Sequence, residues 1–297
     1  MNAQSPLPGT TRPRHAAKKM TPGRLLCMGT HHKTGTVWMR KVLHRISAEQ
    51  NIPLMSVYRA RKLAQVPAEG PVILVNWSST FPQELLLHPE ARFLHVIRDP
   101  RDVLLSGLRY HLISGRGNEK FLRQKRDEWG GKSYQNYLKA WPTRRDQLLF
   151  EMSQKHEETL REMLTWNYRH PHSVELNYED LIEDVDCTLF RKSLEKIAVP
   201  GLDIDKAVEA YHAEALFGGK AAPENRDAHQ NRHVSGEAGR TAQWVHDLPR
   251  DVAEIYLGRY GAALKTLKYE KNTKWVAACR EAEPEPEPTA DDISFAG

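Results

Sequence analysis

The sequence predicts an α/β fold: a single domain with a central, mostly parallel sheet flanked by helices. Three observations predict it. Short apolar runs alternate along the chain with segments whose apolar residues recur every three to four positions. The 297 residues suffice for one large domain with a sizeable core, and no repeat of fixed period or evident linker divides the middle of the chain. The composition, 40% hydrophobic and 27% charged, is that of an ordinary globular chain, and no run approaches the roughly 18 apolar residues needed to span a bilayer.

The elements follow in order. Residues 1–23 carry Pro6, Pro8, Gly9, Pro13, Pro22 and Gly23, which break any periodic pattern, and they read as a flexible basic lead-in. The domain is expected over 24–272. It opens with the apolar run 24–29, a buried strand ending at Gly29. Residues 36–47 follow as an amphipathic helix, with Trp38, Met39, Val42, Leu43 and Ile46 on one stripe. The runs 72–75 and 93–97 are two more buried strands. After the second of these, Asp99 is placed to cap a helix, with Pro100 at its first position and Asp102 in its first turn. Residues 173–177 form a weaker strand, and 203–215 and 249–268 read as helices. The acidic segment 281–297, with its EPEPEP run, is expected to be disordered.

Charge narrows the ligand class. The chain carries a net +5. Residues 1–24 hold five bases and no acid, and 281–297 hold six acids and no base. The stretch between therefore keeps an excess of six positive charges. An anionic partner is implied, without choosing among nucleotide, nucleic acid, sulfate or headgroup. The three cysteines, Cys27, Cys187 and Cys279, are too scattered for a disulfide framework, and no Cys/His spacing suggests a zinc site. With no apolar leader, a cytoplasmic location is the expectation.

Two segments can hold anions. Between the first strand and helix lies His31-His32-Lys33-Thr34-Gly35-Thr36. A turn with Gly, Lys and two hydroxyls that runs into a helix N-terminus offers backbone N–H groups, the positive end of a dipole and an ammonium to one anion. Lys33 precedes Gly35, so this is not the Walker arrangement, in which Lys follows the glycines. A polar strand–helix connection with a capping Thr would read the same way. The second segment runs from Arg98 to His111. Arg98 ends a strand and can present a planar donor fork, with Ser106 two turns into the following helix. Plain helix-start chemistry, with Arg101 and Arg109 solvated, fits these residues equally.

Together these elements resemble the PAPS-dependent sulfotransferase family. HHKTGTVW is similar to its 5′-phosphosulfate loop and RDPRDVLLS to its 3′-phosphate element. Leu176 to Leu181 resembles its RYEDL segment, and His233 to Trp244 is a loosened form of its glycine-rich closing loop. The four stand in family order between about residues 24 and 270. The resemblance implies one α/β domain with a P-loop-like phosphosulfate-binding turn, and PAPS (3′-phosphoadenosine 5′-phosphosulfate) as sulfonate donor. It implies that Lys33 stabilises the bridging oxygen as it leaves. Thr34, Gly35, Thr36 and Val37 would cradle the 5′-phosphate through amides and hydroxyls, and Trp38 and Tyr178 would lie by the adenine. Arg98 and Ser106 would hold the 3′-phosphate, and the loop at Gly236 would close over it. No metal, nucleic acid or membrane span is expected.

Two departures stand out. Asn76 occupies the place where many family members carry a basic His, and Val234-Ser235 replaces an Arg-Lys pair. The candidate bases by proximity are His111, His32 and Glu84. The acceptor, a small molecule or carbohydrate with a hydroxyl or amine, is not legible. The aromatic segment 120–166 (Trp129, Tyr134, Tyr137, Trp141) would serve as acceptor cleft or as helical core. The alternatives are a P-loop-like nucleotide kinase, a polyanion binder, and a degenerate member that binds the desulfonated nucleotide PAP without turnover.

Overall fold

The computed structural model describes residues 20–115, 119–215 and 241–281. Five strands make one sheet: β1 (Leu25–Gly29), β2 (Leu54–Ser56), β3 (Val72–Asn76), β4 (Ala91–Ile97) and β5 (Ser173–Asn177). Their order is β2-β3-β1-β4-β5, and each pairing is parallel. The α/β class expected from the sequence is therefore the observed one, and all four predicted strands are present. The fifth, β2, is a three-residue edge strand, too short to show a period.

The strands read as unbroken apolar runs because both faces of the sheet are covered. Alternate residues part into two cores. Leu26, Met28, Ile73, Val75, Leu94 and Val96 face α1 (Thr36–Gln50), α8 (Thr188–Ile197) and α9 (Ile204–Glu214). Leu25, Cys27, Val72, Leu74 and Phe93 face Phe81, Leu85 and Trp166. On α1 the buried side chains are Trp38, Met39, Val42, Leu43 and Ile46, the stripe read from the sequence.

The remaining helices are α2 (Gln83–Leu86), α3 (Pro100–Ile113), α4 (Tyr134–Ala140), α5 (Arg144–Met152), α6 (Lys155–Thr165) and α7 (Tyr178–Glu183). Beyond α9 come helices Trp244–Asp247 and Arg250–Thr266. Asp99 caps α3 by accepting from the Arg101 amide at 2.9 Å. A satellite core gathers Leu104, Leu105 and Leu108 of α3 with Trp129, Tyr134, Leu148 and Phe150. The aromatic segment thus resolves mostly as core, with Trp129 and Tyr134 buried and Trp141 exposed.

Packing extends beyond both expected domain ends. The buried Arg92 guanidinium donates to the carbonyls of Thr21 (2.7 Å) and Pro22 (2.9 Å), tying down the chain ahead of residue 24. Past residue 272, Trp275 and Cys279 are buried. Arg101, solvated under the plain helix-start alternative, is instead almost fully buried. It pairs with Asp99 and Glu270, each at 2.7 Å, and packs against the rings of Trp244 and Trp275, which meet edge to face.

The strand order positions the site. From β1 the chain moves outward to β2 and β3 on one side, then returns to place β4 on the other. The crevice at the carboxyl ends of β1 and β4 is a topological switch point, the usual ligand position in such sheets. Gly29 and His95 are register partners near that end.

Candidate active site

Both sequence segments leave the sheet at this crevice, and a hydrogen bond joins them. Arg98 at the end of β4 donates from Nη1 to the Lys33 carbonyl at 3.3 Å, across 65 residues of sequence. The Arg98 guanidinium is buried, lies 4.4 Å from the Tyr178 ring centre, and stands 3.9 Å from Asp102.

The loop after β1 is closed by its own hydroxyls. The Thr34 hydroxyl accepts from the His31 amide (2.8 Å) and lies 3.0 Å from the His31 carbonyl. That carbonyl also accepts from the Thr34 amide (3.2 Å) and the Thr36 hydroxyl (2.8 Å). The resemblance assigns these hydroxyls to a phosphate, but here they hold the loop, so the Thr34 side chain and amide are already committed. Donors to an anion are left to the start of α1, where Gly35 takes the N-cap place with φ 98° and no side-chain cap. A Cβ on Gly35 would lie 3.2 Å from the Tyr178 ring and sit in left-handed backbone. Lys33 itself adopts φ 64°, a strained value for a residue with a side chain.

Cations converge here. Lys33 Nζ lies 4.3 Å from the Tyr110 ring centre. Burial, reinforced by Arg98 and Arg109, pushes its ammonium down to about 7. Burial and then Arg98 lower Arg109, which makes it a third member of the cluster rather than a solvated residue. Lys33 and Arg109 both feel the charge of Arg98, so three cations share this crevice. Ser106, on α3, is 2% exposed, and its Oγ has no hydrogen-bond partner among the described residues.

Trp38 is buried, stacked on Tyr211 at 5.2 Å and edge-on to Tyr178 at 6.4 Å. The expected adenine-side pair is therefore together, with one face of Trp38 already covered. Val37 is half-buried in the first turn of α1. Gly236 lies outside the described residues.

Asn76 is not a vacant base position. Its Nδ2 donates to the Val57 carbonyl (2.9 Å), and its Oδ1 accepts from the amides of Ser78 and Thr80 (3.1 Å each), pinning the loop after β3. Glu84 is exposed in the first turn of α2. His32 and His111 do meet: their Nε2 atoms are 3.0 Å apart, with the rings stacked at 5.0 Å. His111 Nδ1 lies 2.8 Å from Glu151 Oε2, and His32 Nδ1 lies 3.2 Å from Glu119 Oε1. The Tyr134 hydroxyl donates to Glu151 at 2.7 Å. Burial lowers His32 despite the opposing pull of Glu119. Burial raises the Glu119 carboxyl, but His32 outweighs it and holds it at about 2. Glu151 is likewise held below its usual range by His111 and Tyr134, against its burial.

A second chain of the same kind starts one residue earlier. His31 Nε2 is 2.9 Å from His95 Nε2, and His95 Nδ1 is 2.5 Å from Glu175. The sequence signals for these chains are the His-His doublet before Lys33 and His111 beyond Ser106. Glu119, Glu151 and Glu175 come from elements with no motif of their own.

No protein-family model matches the chain, and neither does any curated protein. Solved structures do. The chain is similar to sulfotransferase structures over most of its length. A mouse sulfotransferase, SULT7A1, complexed with PAP shares 14% identity at a TM-score of 0.45, covering 85% of this chain and 88% of that one. Retinol dehydratase with androsterone and inactive cofactor PAP shares 12% at 0.40, covering 86% and 83%. The same enzyme with retinol and PAP shares 14% at 0.41, covering 84% and 82%. Among the described residues, no helix is long and apolar enough to cross a membrane.

Proposed function

We propose that this chain transfers the sulfonate group of PAPS to a hydroxyl or amine of a small-molecule or carbohydrate acceptor. The observation that carries the reading is the hydrogen bond from Arg98 to the Lys33 carbonyl, which merges the two anion-binding segments into one site. Three features of that site fit the donor nucleotide. An uncapped helix start and Lys33 suit the 5′-phosphosulfate. Arg98 and the Ser106 hydroxyl, which has no partner among the described residues, suit a second phosphate. Trp38 and Tyr178 suit a base.

PAPS supplies an activated sulfur–oxygen bond. In the transfer, the acceptor oxygen or nitrogen bonds to sulfur while the bond from sulfur to the 5′-phosphate oxygen breaks. Charge builds on that leaving oxygen, and the Lys33 ammonium stabilises it. The acceptor proton goes to the His32–His111 pair, whose positive charge Glu119 and Glu151 offset. Positioning and cations do most of the catalytic work, as in phosphoryl transfer.

Calorimetry with PAP on the full chain tests the donor site. Binding is expected in the micromolar range or tighter, with AMP and ATP weaker, and with loss in Lys33→Ala and Arg98→Ala proteins. ATP with Mg²⁺ outbinding PAP would replace this reading with that of a kinase. Transfer of label from PAPS to a panel of hydroxyl and amine acceptors tests turnover; PAP binding with no transfer to any of them would leave only the degenerate member.

A further inference from the structure

His32 and His111 commit all four of their ring nitrogens to each other and to two carboxylates. Burial raises both carboxyls, but the histidine each one faces outweighs it, so Glu119 and Glu151 are ionised at neutral pH. A carboxylate can only accept, so a ring whose Nδ1 faces one carries its proton there. His111 Nδ1 lies 2.8 Å from Glu151, and His32 Nδ1 lies 3.2 Å from Glu119. The two Nε2 atoms are left with lone pairs that point at each other across 3.0 Å. Lone pairs repel at that distance, and one proton between them turns the repulsion into a charge-assisted hydrogen bond. The other pair is a built-in contrast. His31 Nδ1 is 3.6 Å from Glu162, beyond hydrogen-bond reach, so His31 can carry its proton on Nε2 and donate to His95 as a neutral ring.

The surroundings favour one shared proton and no second. Glu119 and Glu151 attract positive charge to the pair, while burial and Lys33 oppose it at His32. Tyr134, from α4, donates to Glu151; Lys155, from α6, lies in the field of Glu119 and pairs with Glu158 at 2.8 Å. Tyr110 of α3 and Phe121 present ring faces and edges, 6.1 Å from the His32 ring centre and 5.3 Å from that of His111. We propose that the pair is a base locked shut by one shared proton, and that loss of this proton frees His32 to serve. While the proton is in place, neither residue has a lone pair to offer an acceptor. When it leaves to solvent, the facing lone pairs drive the rings apart. The His111 side chain is 0% exposed and stays on Glu151, so His32, 12% exposed and on the loop, is the ring that turns. In transfer the acceptor bonds to sulfur, the bond from sulfur to the 5′-phosphate oxygen breaks, and the acceptor proton moves to His32 Nε2. Each turnover thus leaves the pair closed, with one proton to shed. The bearing on transfer rests on the PAPS reading; the shared proton does not.

The test is a pH titration of the full chain, labelled at histidine nitrogen and without nucleotide, followed by NMR; His32→Gln and His111→Gln proteins assign the signals. Below the release, both rings are expected to show a protonated Nδ1 and an Nε2 signal midway between protonated and bare. His31 and His95 instead show one plain Nε2–H and one bare Nε2. Above the release, both midway signals move to the bare position, and the His32 ring protons lose the shift that stacking on His111 gives them. In Glu119→Gln, at a partly exposed position, the new amide can donate to His32 Nδ1, so His32 takes the Nε2–H tautomer and the plain pattern replaces the midway one. A plain pattern in the wild-type protein overturns the shared proton. A midway signal that is lost with no change in stacking overturns the opening. The rate of transfer from PAPS is expected to rise about tenfold per pH unit up to the release seen by NMR and to level off above it; a rate that is level across the release overturns the lock. If the NMR pattern is found but no acceptor is sulfonated, the donor reading falls and the shared proton stands.

Discussion

Ser106→Ala is the sharpest probe of the nucleotide site, because it is expected to move stability and binding in opposite directions. Ser106 is 2% exposed, and its Oγ has no partner among the described residues. A hydroxyl buried without a partner carries a desolvation penalty of about 1–3 kcal/mol. Removing it relieves that penalty and leaves a void of one oxygen atom, so the variant unfolds at the same or slightly higher denaturant concentration than wild type. If the hydroxyl donates to a nucleotide phosphate, the variant loses a hydrogen bond to a charged group, worth about 1.5–3 kcal/mol. That converts to about a 10- to 150-fold weaker Kd for PAP. The loss should be much smaller for AMP, which lacks the second phosphate that Arg98 and Ser106 would share. Urea denaturation gives the first quantity and calorimetry with PAP and AMP the second. A variant that is clearly destabilised yet binds PAP normally would mean that Ser106 serves the packing of α3 and not a ligand.

Two further outcomes follow from charge. With Lys33 held at about 7, a bound anion raises its pKa, so the complex holds one more proton than the unbound protein above that pH. PAP affinity should be level below pH 7 and fall by up to tenfold per unit above it, with proton uptake seen as buffer-dependent heats; affinity that climbs from pH 7 to 9 would contradict this. Arg101→Ala strands Asp99 and Glu270 and leaves a cavity against Trp244 and Trp275. A loss of about 3–5 kcal/mol is expected, lowering Tm by roughly 10 °C; a Tm within a degree or two of wild type would show the pair to be dispensable.

The sequence by itself determined the α/β class, four of five strands and the buried stripe of α1. All of these rest on local periodicity, and periodicity is a property of neighbouring residues. It also marked Lys33, Gly35, Arg98 and Ser106 as candidates for an anion site, because such a site takes particular residue types at strand–helix turns. Only the tertiary structure decided the rest. It turned the hydroxyls of Thr34 and Thr36 inward, since the loop's own carbonyl at His31 needed donors. It made Asn76 a loop pin, and it buried Arg101 against two tryptophans distant in sequence. Above all, it set His32 against His111 and backed the pair with Glu119 and Glu151. Those contacts join residues 40 to 87 positions apart on helices and loops without shared motifs. Such a network exists only when the parallel sheet brings the carboxyl ends of β1 and β4 together and α3 and α5 close beside them, an arrangement that no local pattern encodes.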